Sequence, residues 1–296
     1  MSHREISPPR WSARHTFKED AEMKFRILGN LEAQVGDRRA NLGGLRTRSF
    51  LAALLLHAGQ PVTLTRLAES LWTEPPASAT ANLRTYATHL RRRLDEAEPG
   101  SGDRLETVPS GYRLIVGPEE LDLLQFEALT AEGELLHAQG RLAEASARYD
   151  EALRMWRGRP LENVSGGALL DASIAWLEER RLMGTEQALD ILLAAGLHSK
   201  AVAELRRLVG EFPLHERMWS RLLIALHESG RRADALAAYA RARACLVEHA
   251  GVEPGPELRR LHQLILASDG GRGVSPVPAF TRMAMDAGPD ARTFVR

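Results

Sequence analysis

The C-terminal half of this 296-residue sequence repeats one short pattern around three glycines. Gly140, Gly196 and Gly230 are each followed by an alanine five positions later and by a large apolar residue nine positions later. The alanines are Ala145, Ala201 and Ala235, and the large residues are Tyr149, Leu205 and Tyr239. Gly196 and Gly230 are 34 residues apart, which is the period of tetratricopeptide repeats. Because glycine closes the turn between paired helices and alanine permits their close approach, the pattern predicts stacked helical hairpins.

Helical spacing of apolar residues continues from Leu121 to Ser268, apart from one irregular stretch. That stretch includes Pro160 to Leu169 and predicts an insertion between the first helical hairpin and the second. We therefore predict a tetratricopeptide-like α-helical repeat domain over residues 118–268. The composition of residues 269–296, rich in Gly and Pro, predicts a disordered tail, and the polar residues 1–22 predict a disordered leader.

The first hundred residues follow a different pattern. Short apolar stretches on both sides of a glycine turn predict a small antiparallel sheet. Helical spacing follows, Thr63 suits the N-cap of a second helix, and a third helix spans Ala79 to Glu96. Two alternating stretches around Pro109-Ser110-Gly111 predict a hairpin. The predicted fold is therefore mainly α with a small β component: a winged helix-turn-helix over residues 23–117, followed by the α-helical repeat domain.

The third predicted helix separates apolar from cationic residues most clearly. Its apolar stripe consists of Leu83, Ala87, Leu90 and Leu94. Its opposite face carries Thr85, Thr88, His89 and Arg92, flanked by Arg84 and Arg91 on one side and by Arg93 on the other. Arginine bonds guanine O6 and N7, and threonine contacts base edges or the thymine methyl, so this face suits the major groove of B-DNA. The alternative is a solvated arginine-rich surface, which the position between a helix-turn-helix pair and a hairpin disfavours.

Other arginines are candidates for contacts to the DNA backbone. Arg46 and Arg48 open the first long helix, where their guanidiniums and the free backbone N–H groups suit a phosphate. Plain surface charge is the alternative for both. Arg113 in the hairpin, and Arg104 just before it, are placed to reach the backbone or the minor groove. Tyr112 is interpreted as a core anchor of the hairpin.

Charge is distributed unevenly between the two halves. The whole chain carries 39 basic and 39 acidic residues, which gives a formal net charge of zero. Residues 24–116 contain 13 basic and 9 acidic residues, whereas residues 117–268 contain 18 and 23. A basic half joined to an acidic half indicates that the first half binds a polyanion.

Several classes of protein are excluded by what the sequence lacks. The longest apolar run, Phe50 to Leu56, is far short of the ~20 residues that span a bilayer. The N-terminus also lacks the apolar core of a signal peptide, so we expect a cytoplasmic protein without membrane contact. Cys245 is the only cysteine, which rules out an intrachain disulfide and a cysteine-based zinc site.

No catalytic motif is present in the sequence. It contains no Gly-x-x-x-x-Gly-Lys-Ser/Thr loop, no Gly-x-Ser-x-Gly elbow and no His-Glu-x-x-His motif. Acidic pairs such as Glu119-Glu120 are interpreted as solvated helix faces. We therefore expect a protein that is not an enzyme and that uses neither a cofactor nor a metal.

Taken together, these segments resemble the Streptomyces antibiotic regulatory protein family. Its OmpR-type DNA-binding half is matched by LGNLEAQVGDRRANLGGLRTRSFLAALLLHAGQPVTLTRLAESLW, NLRTYATHLRRRL and RLETVPSGYRLIV. Its bacterial transcriptional activation domain is matched by ELDLLQFEAL, ALRMWRGRPL and the segment that begins RMWSRLLIALHESGRRADALAAYARA. The resemblance covers residues 24–268 and implies a pathway-specific activator of antibiotic and other secondary-metabolite genes. It further implies binding to direct repeats in promoters and recruitment of RNA polymerase.

The resemblance also implies roles for individual residues. In the family, the helix equivalent to Ala81–Leu94 enters the major groove and its exposed positions read bases. Those positions here are Arg84, Thr85, Thr88, His89, Arg91 and Arg92. His89 stands where many relatives carry arginine, so a different or weaker base preference is expected at that step. Arg46, Arg48, Arg93 and Arg113 are assigned to phosphate and wing contacts.

Direct repeats call for two copies of the chain bound head to tail rather than related by a simple two-fold axis. The acidic helical domain is then expected to pair the two copies and to contact RNA polymerase. Two alternatives remain open. One is a helical-repeat adaptor whose winged helix docks a protein, because fold alone does not settle function. The other is a ligand-responsive repressor of the same architecture.

Overall fold

The computed structural model describes residues 23–268, which form ten α-helices and six short β-strands. The predicted disordered leader (1–22) and tail (269–296) lie outside the described residues. In chain order the described part runs through a small sheet, three helices and a hairpin, and then seven helices. The predicted fold class, mainly α with a winged helix-turn-helix first and a helical domain second, is confirmed.

The N-terminal part has the predicted order of elements. The first sheet contains β1 (Met23–Arg26), β2 (Glu32–Val35) and β3 (Arg38–Arg39), paired antiparallel in that order. Next come α1 (Leu45–Leu55), β4 (Val62–Thr63), α2 (Leu64–Leu71) and α3 (Ala79–Ala97). The hairpin strands β5 (Leu105–Val108) and β6 (Gly111–Leu114) form a second sheet in the order β4-β6-β5. Strand β4 was not predicted, because two residues are too few to show an alternating pattern.

Local sequence signals account for the helix-turn-helix. Thr63 caps α2 as predicted, since its hydroxyl oxygen accepts the backbone N–H of Arg66 at 3.2 Å. The predicted apolar stripe of α3 is fully buried: Leu83, Ala87, Leu90 and Leu94. This stripe faces α1 and α2, so the opposite side of α3 points away from the core. Tyr112 packs edge-on against Phe50 with ring centroids 5.5 Å apart, which confirms it as a core anchor.

The helical domain consists of paired helices joined by short turns. Its helices are α4 (Asp122–Ala138), α5 (Leu142–Arg154), α6 (Ala168–Ala194), α7 (His198–Glu211), α8 (Glu216–Glu228), α9 (Arg232–Ala250) and α10 (Pro256–Ala267). Gly140, Gly196 and Gly230 follow α4, α6 and α8 with φ of +74°, +71° and +73°. After each glycine, the next residue donates its N–H to a carbonyl five positions back, which is the Schellman arrangement. The predicted helical hairpins are confirmed, while their membership of the tetratricopeptide class stays a prediction.

One hydrophobic core crosses the predicted domain boundary. It runs from Met23 in β1 to Leu177 in α6 and includes Phe126 of α4 and Trp156. A second core begins at Leu189 and holds α7 to α10 together. The predicted boundary between residues 117 and 118 therefore falls inside the first core, so the winged helix is fused to the first half of the helical domain.

The irregular stretch between α5 and α6, residues 155–167, is hydrogen-bonded to the backbone of the winged helix. We call it the clamp segment. It donates the N–H of Arg157 to the Leu28 carbonyl at 2.8 Å and that of Leu161 to the Ile27 carbonyl at 3.1 Å. At its far end, the N–H of Gly167 reaches the carbonyl of Ser70 in α2 at 2.9 Å. The structure thus has the predicted insertion, although α6 begins at Ala168, so the last two residues of the predicted stretch from Pro160 to Leu169 are helical.

Gly167 allows the clamp segment to approach α2 closely. A Cβ atom at this position would lie 2.3 Å from the carbonyl oxygens of both Glu69 and Trp72, a distance at which no side chain fits. The helical domain therefore contacts the helix-turn-helix backbone directly.

A buried carboxylate also holds the winged helix and the helical domain together, and we call this contact region the joint. Asp122, at the start of α4, accepts the backbone N–H of Ile27 at 2.8 Å and that of Leu28 at 3.1 Å. Arg157 of the clamp segment donates to the same carboxylate at 3.1 Å. Burial raises the pKa of Asp122, and the two amide hydrogen bonds together with Arg157 partly offset that rise. One side chain thus links the loop after β1, α4 and the clamp segment.

We expect Asp122→Ala to lower the free energy of unfolding by about 1–3 kcal/mol, because it leaves buried N–H groups without an acceptor. Urea denaturation followed by circular dichroism measures the change. Asp103→Ala is the matched control, since Asp103 is an exposed carboxylate in the same half of the chain. Equal stability of the Asp122 variant and the control would contradict this account of the joint.

Candidate nucleic-acid interface

The outer face of α3 is open to solvent. Arg84, Thr85, Thr88, His89 and Arg92 are all exposed. The helix packs on α1, α2 and the 3₁₀ turn that follows it, and the main contacts of α4 to α10 lie elsewhere. The helical domain thus leaves this face accessible, as a major-groove contact requires.

The threonines of this face are ordered by their own helix. The hydroxyl of Thr85 donates to the Ala81 carbonyl at 3.1 Å, and that of Thr88 donates to the Arg84 carbonyl at 3.0 Å. Each hydroxyl oxygen keeps lone pairs that can accept from a base amino group, and each methyl group stays available for a thymine methyl. Both side chains therefore present short, pre-oriented contact groups.

The cationic side chains of this face differ in their ion pairs and in their exposure to solvent. Within residues 23–268, the side chains of Arg84 and His89 form no hydrogen bond and no ion pair. Arg92 lies 3.5 Å from the Glu96 carboxylate with 64% of its side chain exposed. Arg93 donates to the same carboxylate at 2.8 Å and is 29% exposed. Exposed ion pairs of this kind are weak, about 0–1 kcal/mol, so a phosphate or base can displace Glu96.

The surroundings of Arg91 do not match the predicted base-reading role. It is half-buried, and its guanidinium donates to the Leu105 carbonyl at 3.0 and 2.7 Å and to the Thr107 hydroxyl at 2.9 Å. It also lies over the ring of Tyr112, 5.9 Å from the centroid. The structure therefore directs Arg91 to the hairpin, where it fixes the position of β5 and β6 relative to α3.

The hairpin arginines are also paired. Arg113 stands opposite Glu106 in the β5–β6 register and donates to its carboxylate at 2.8 Å, but it keeps 38% of its side chain exposed. Arg104 is only 7% exposed and bonds Glu120 at 2.7 Å. Two expectations are therefore wrong: Arg104 is buried rather than free to reach DNA, and Glu120 belongs to a buried ion pair rather than to a solvated face.

The two arginines of α1 have different surroundings. Arg46 is exposed, donates to the Leu71 carbonyl and lies 5.7 Å from the Trp72 ring centroid. Arg48 is half-buried and donates to the Gly43 carbonyl at 2.8 Å and, weakly, to the Asn163 carbonyl of the clamp segment at 3.4 Å. Arg48 therefore lies at the joint between the domains rather than at a free phosphate site, in contrast to the prediction.

One cation near the helix-turn-helix was missed. Arg66 is exposed in the first turn of α2, and its guanidinium donates to the ring nitrogen of His57 at 3.1 Å. Burial and the neighbouring Arg66 lower the pKa of His57, so this imidazole remains a neutral acceptor near pH 7. The sequence signal was present, because Arg66 comes three residues after the N-cap Thr63 and the start of a helix favours anions.

In the part of the chain that the structure describes, no three His, Cys, Asp or Glu residues are grouped so that they could hold a metal ion. None of the helices in residues 23–268 is both long and apolar enough to cross a membrane. Cys245 is half-buried in α9.

Comparison with known families agrees with both halves of the structure. The family model described as "Transcriptional regulatory protein, C terminal" matches residues 44–114, and that described as "Bacterial transcriptional activator domain" matches residues 121–266. Together with the exposed α3 face, these matches define a two-domain transcriptional regulator of the OmpR type.

Related proteins narrow the class further. Regulatory protein DnrI of Streptomyces peucetius is 37% identical over 271 residues, which cover 89% of this chain and 100% of that protein. Regulatory protein AfsR of Streptomyces griseus is 39% identical over 83% of this chain, which is only 25% of that longer protein. The chain belongs to the Streptomyces antibiotic regulatory protein family. The solved structure of Mycobacterium tuberculosis EmbR in complex with a low-affinity phosphopeptide superposes with a TM-score of 0.81 at 30% identity, covering 90% of this chain and 70% of that one.

We expect Arg91→Ala to lower the free energy of unfolding by about 1–2 kcal/mol and to speed amide exchange in β5 and β6, because the hairpin loses its tie to α3. Arg84→Ala is the matched control on the same helix and should change neither quantity. Hydrogen exchange followed by mass spectrometry distinguishes the two. If both variants left the hairpin equally protected, Arg91 would not be its positioning residue.

Proposed function

We propose that this regulator is a sequence-specific DNA-binding activator that inserts α3 into the major groove of promoter DNA. The observation that carries the proposal is the uncovered outer face of α3, with its free arginine and its pre-oriented threonines. The regulated genes would be those of a secondary-metabolite (antibiotic) pathway, as the family membership suggests. The cell compartment would be the bacterial cytoplasm, where promoter DNA is accessible.

Base reading is assigned to the residues that are exposed on α3: Arg84, Thr85, Thr88, His89 and Arg92. A free guanidinium can bond guanine bidentately, while the neutral form of His89 offers only one donor. Arg91 acts through the hairpin, which it holds at a fixed angle to α3 so that both reach the duplex together.

Phosphate contacts are assigned to exposed or weakly paired cations around α3: Arg46, Arg66, Arg93 and Arg113. Glu96 and Glu106 release Arg93 and Arg113 when a phosphate approaches, because exposed ion pairs contribute little. Each phosphate neutralised releases counterions from DNA, so the affinity should fall steeply with salt.

The helical domain is assigned to partners other than DNA. Its surplus of acidic residues makes it unsuited to contact phosphates. We infer that two copies bind head to tail on a direct repeat, and that the helical domains pair the copies and present a surface to RNA polymerase.

We expect Arg92→Ala to reduce the preference for the promoter over a scrambled duplex by about 1–3 kcal/mol, because it removes a base contact. Arg46→Ala should weaken binding to both duplexes equally, and it should reduce the slope of log affinity against log salt concentration by about 1. Gel shifts at several salt concentrations, on a promoter identified by footprinting near the gene, measure both effects.

Arg241→Ala is the control, since Arg241 is an exposed arginine of α9 in the helical domain. It should leave affinity, preference and salt slope unchanged. If Arg92→Ala reduced the affinity for both duplexes equally, Arg92 would not be a base-reading residue. Failure of the unaltered chain to shift any duplex would refute the proposed function.

A further inference from the structure

A cleft of about 1080 Å³ lies in the helical domain, far along the chain from α3. Helix α6 supplies the largest share of its lining, α5 and residues 158–160 border one side, and α7 borders the other. The volume is close to the upper end of the roughly 300–1,000 Å³ typical of sites for drug-sized molecules. The DNA-binding role makes no use of this cleft.

Much of the lining is apolar. The apolar lining includes Leu182, Leu189 and Leu192 of α6, Leu208 of α7 and Phe212, which directly follows α7. Phe212 is 38% exposed, so an aromatic ring stands partly uncovered there. Because apolar surface gains free energy when it leaves water, this lining favours an occupant with a largely apolar body.

The ion pairs at the cleft leave one carboxylate unused. The paired groups are Arg159 with Glu178 at 3.2 Å, Lys200 with Asp150 at 3.3 Å, and Arg207 with both Glu204 and Glu211 at 2.6 Å. Arg181 lies over the Trp156 ring, 5.6 Å from its centroid. Glu179, also in the lining, has no partner within residues 23–268. An occupant with a positive charge therefore finds a free carboxylate, whereas an anion meets a net negative rim.

The two helices that border the cleft are also linked by an ion pair, since Lys200 of α7 lies 3.3 Å from Asp150 of α5. The volume of the cleft matches a compact, drug-sized molecule, so we expect such an occupant rather than an extended peptide.

One wall of the cleft belongs to the clamp segment. Gly158, Arg159 and Pro160 line it, between the two amides of Arg157 and Leu161 that bond the winged helix. Leu161 is fully buried with φ of +53°, the one non-glycine residue with positive φ among residues 23–268. Such a strained backbone persists only where its surroundings hold it, so an occupant against this wall should stabilise it.

We propose that this cleft binds a drug-sized, largely apolar molecule bearing a protonated amine, with Glu179 as its counter-ion, and that the occupant stabilises the clamp segment. The proposal goes beyond the DNA-binding function and can be tested without DNA.

The test uses the full chain and two matched probes, 1-naphthylmethylamine as the cation and 1-naphthoate as the anion, titrated by saturation-transfer NMR. The cation should bind about fivefold more tightly than the anion, and Glu179→Gln should abolish that preference. Glu248→Gln, which alters an exposed glutamate of α9 outside the cleft, should retain it. Absent binding, a preference for the anion, or an unchanged preference in the Glu179 variant would overturn the proposal.

Two further readouts complete the test. The cation should slow amide exchange at Arg157 and Leu161, and an unchanged rate in the saturated protein would refute the link to the clamp segment. A lysine-containing apolar hexapeptide serves as the competitor, and tighter binding by the peptide than by the amine probe would mean that the cleft is a peptide groove. Because no duplex is present, these outcomes are independent of the proposed DNA binding.

Discussion

The buried carboxylate of Asp122 is the constraint on which the arrangement of the two domains depends. A carboxylate withdrawn from water is costly unless its oxygens are bonded, and here two backbone N–H groups of the loop between β1 and β2 and one guanidinium bond them. Because these donors come from the loop after β1 and from the clamp segment, the bonds hold the first sheet, α4 and the clamp segment in one relative position. The surrounding core, which includes Phe25 and Phe126, then excludes water from the joint.

From this joint the position of α3 follows in steps. The clamp segment bonds the carbonyl of Ser70 at the end of α2, and its Gly167 leaves no space for α2 to move closer. Helix α2 packs on α1 and α3, so the outer face of α3 has a fixed direction relative to the helical domain. In the proposed function, which assigns DNA to one domain and partners to the other, this fixed arrangement would set the geometry of the whole assembly.

The sequence predicted best what depends on neighbours along the chain. The stripe from Leu83 to Leu94, the N-cap Thr63 and the glycine turns are local patterns, and the structure has each of them. The roles of individual arginines were predicted less well, because their partners are distant in sequence and are often backbone carbonyls. Arg48 bonds Asn163, more than one hundred positions away.

Arg91 and Arg104 show the same limit of sequence-based prediction at the candidate nucleic-acid interface. Both lie beside predicted DNA-contacting elements, yet one is bound to the hairpin backbone and the other to Glu120. No periodicity distinguishes a guanidinium that faces solvent from one that faces a carbonyl. The shared core was missed for a related reason, since apolar residues on both sides of residue 117 look alike whether they form one core or two.

Site-specific photocrosslinking tests the central claim most directly. A photoreactive phenylalanine analogue replaces Thr88 on the outer face of α3 in one preparation and Glu248 in the helical domain in another. The account predicts that position 88 crosslinks to bases of the promoter duplex, that unlabelled promoter competes better than scrambled DNA, and that position 248 does not crosslink. Crosslinking from position 248 but not from position 88, in protein that binds the promoter, would contradict it.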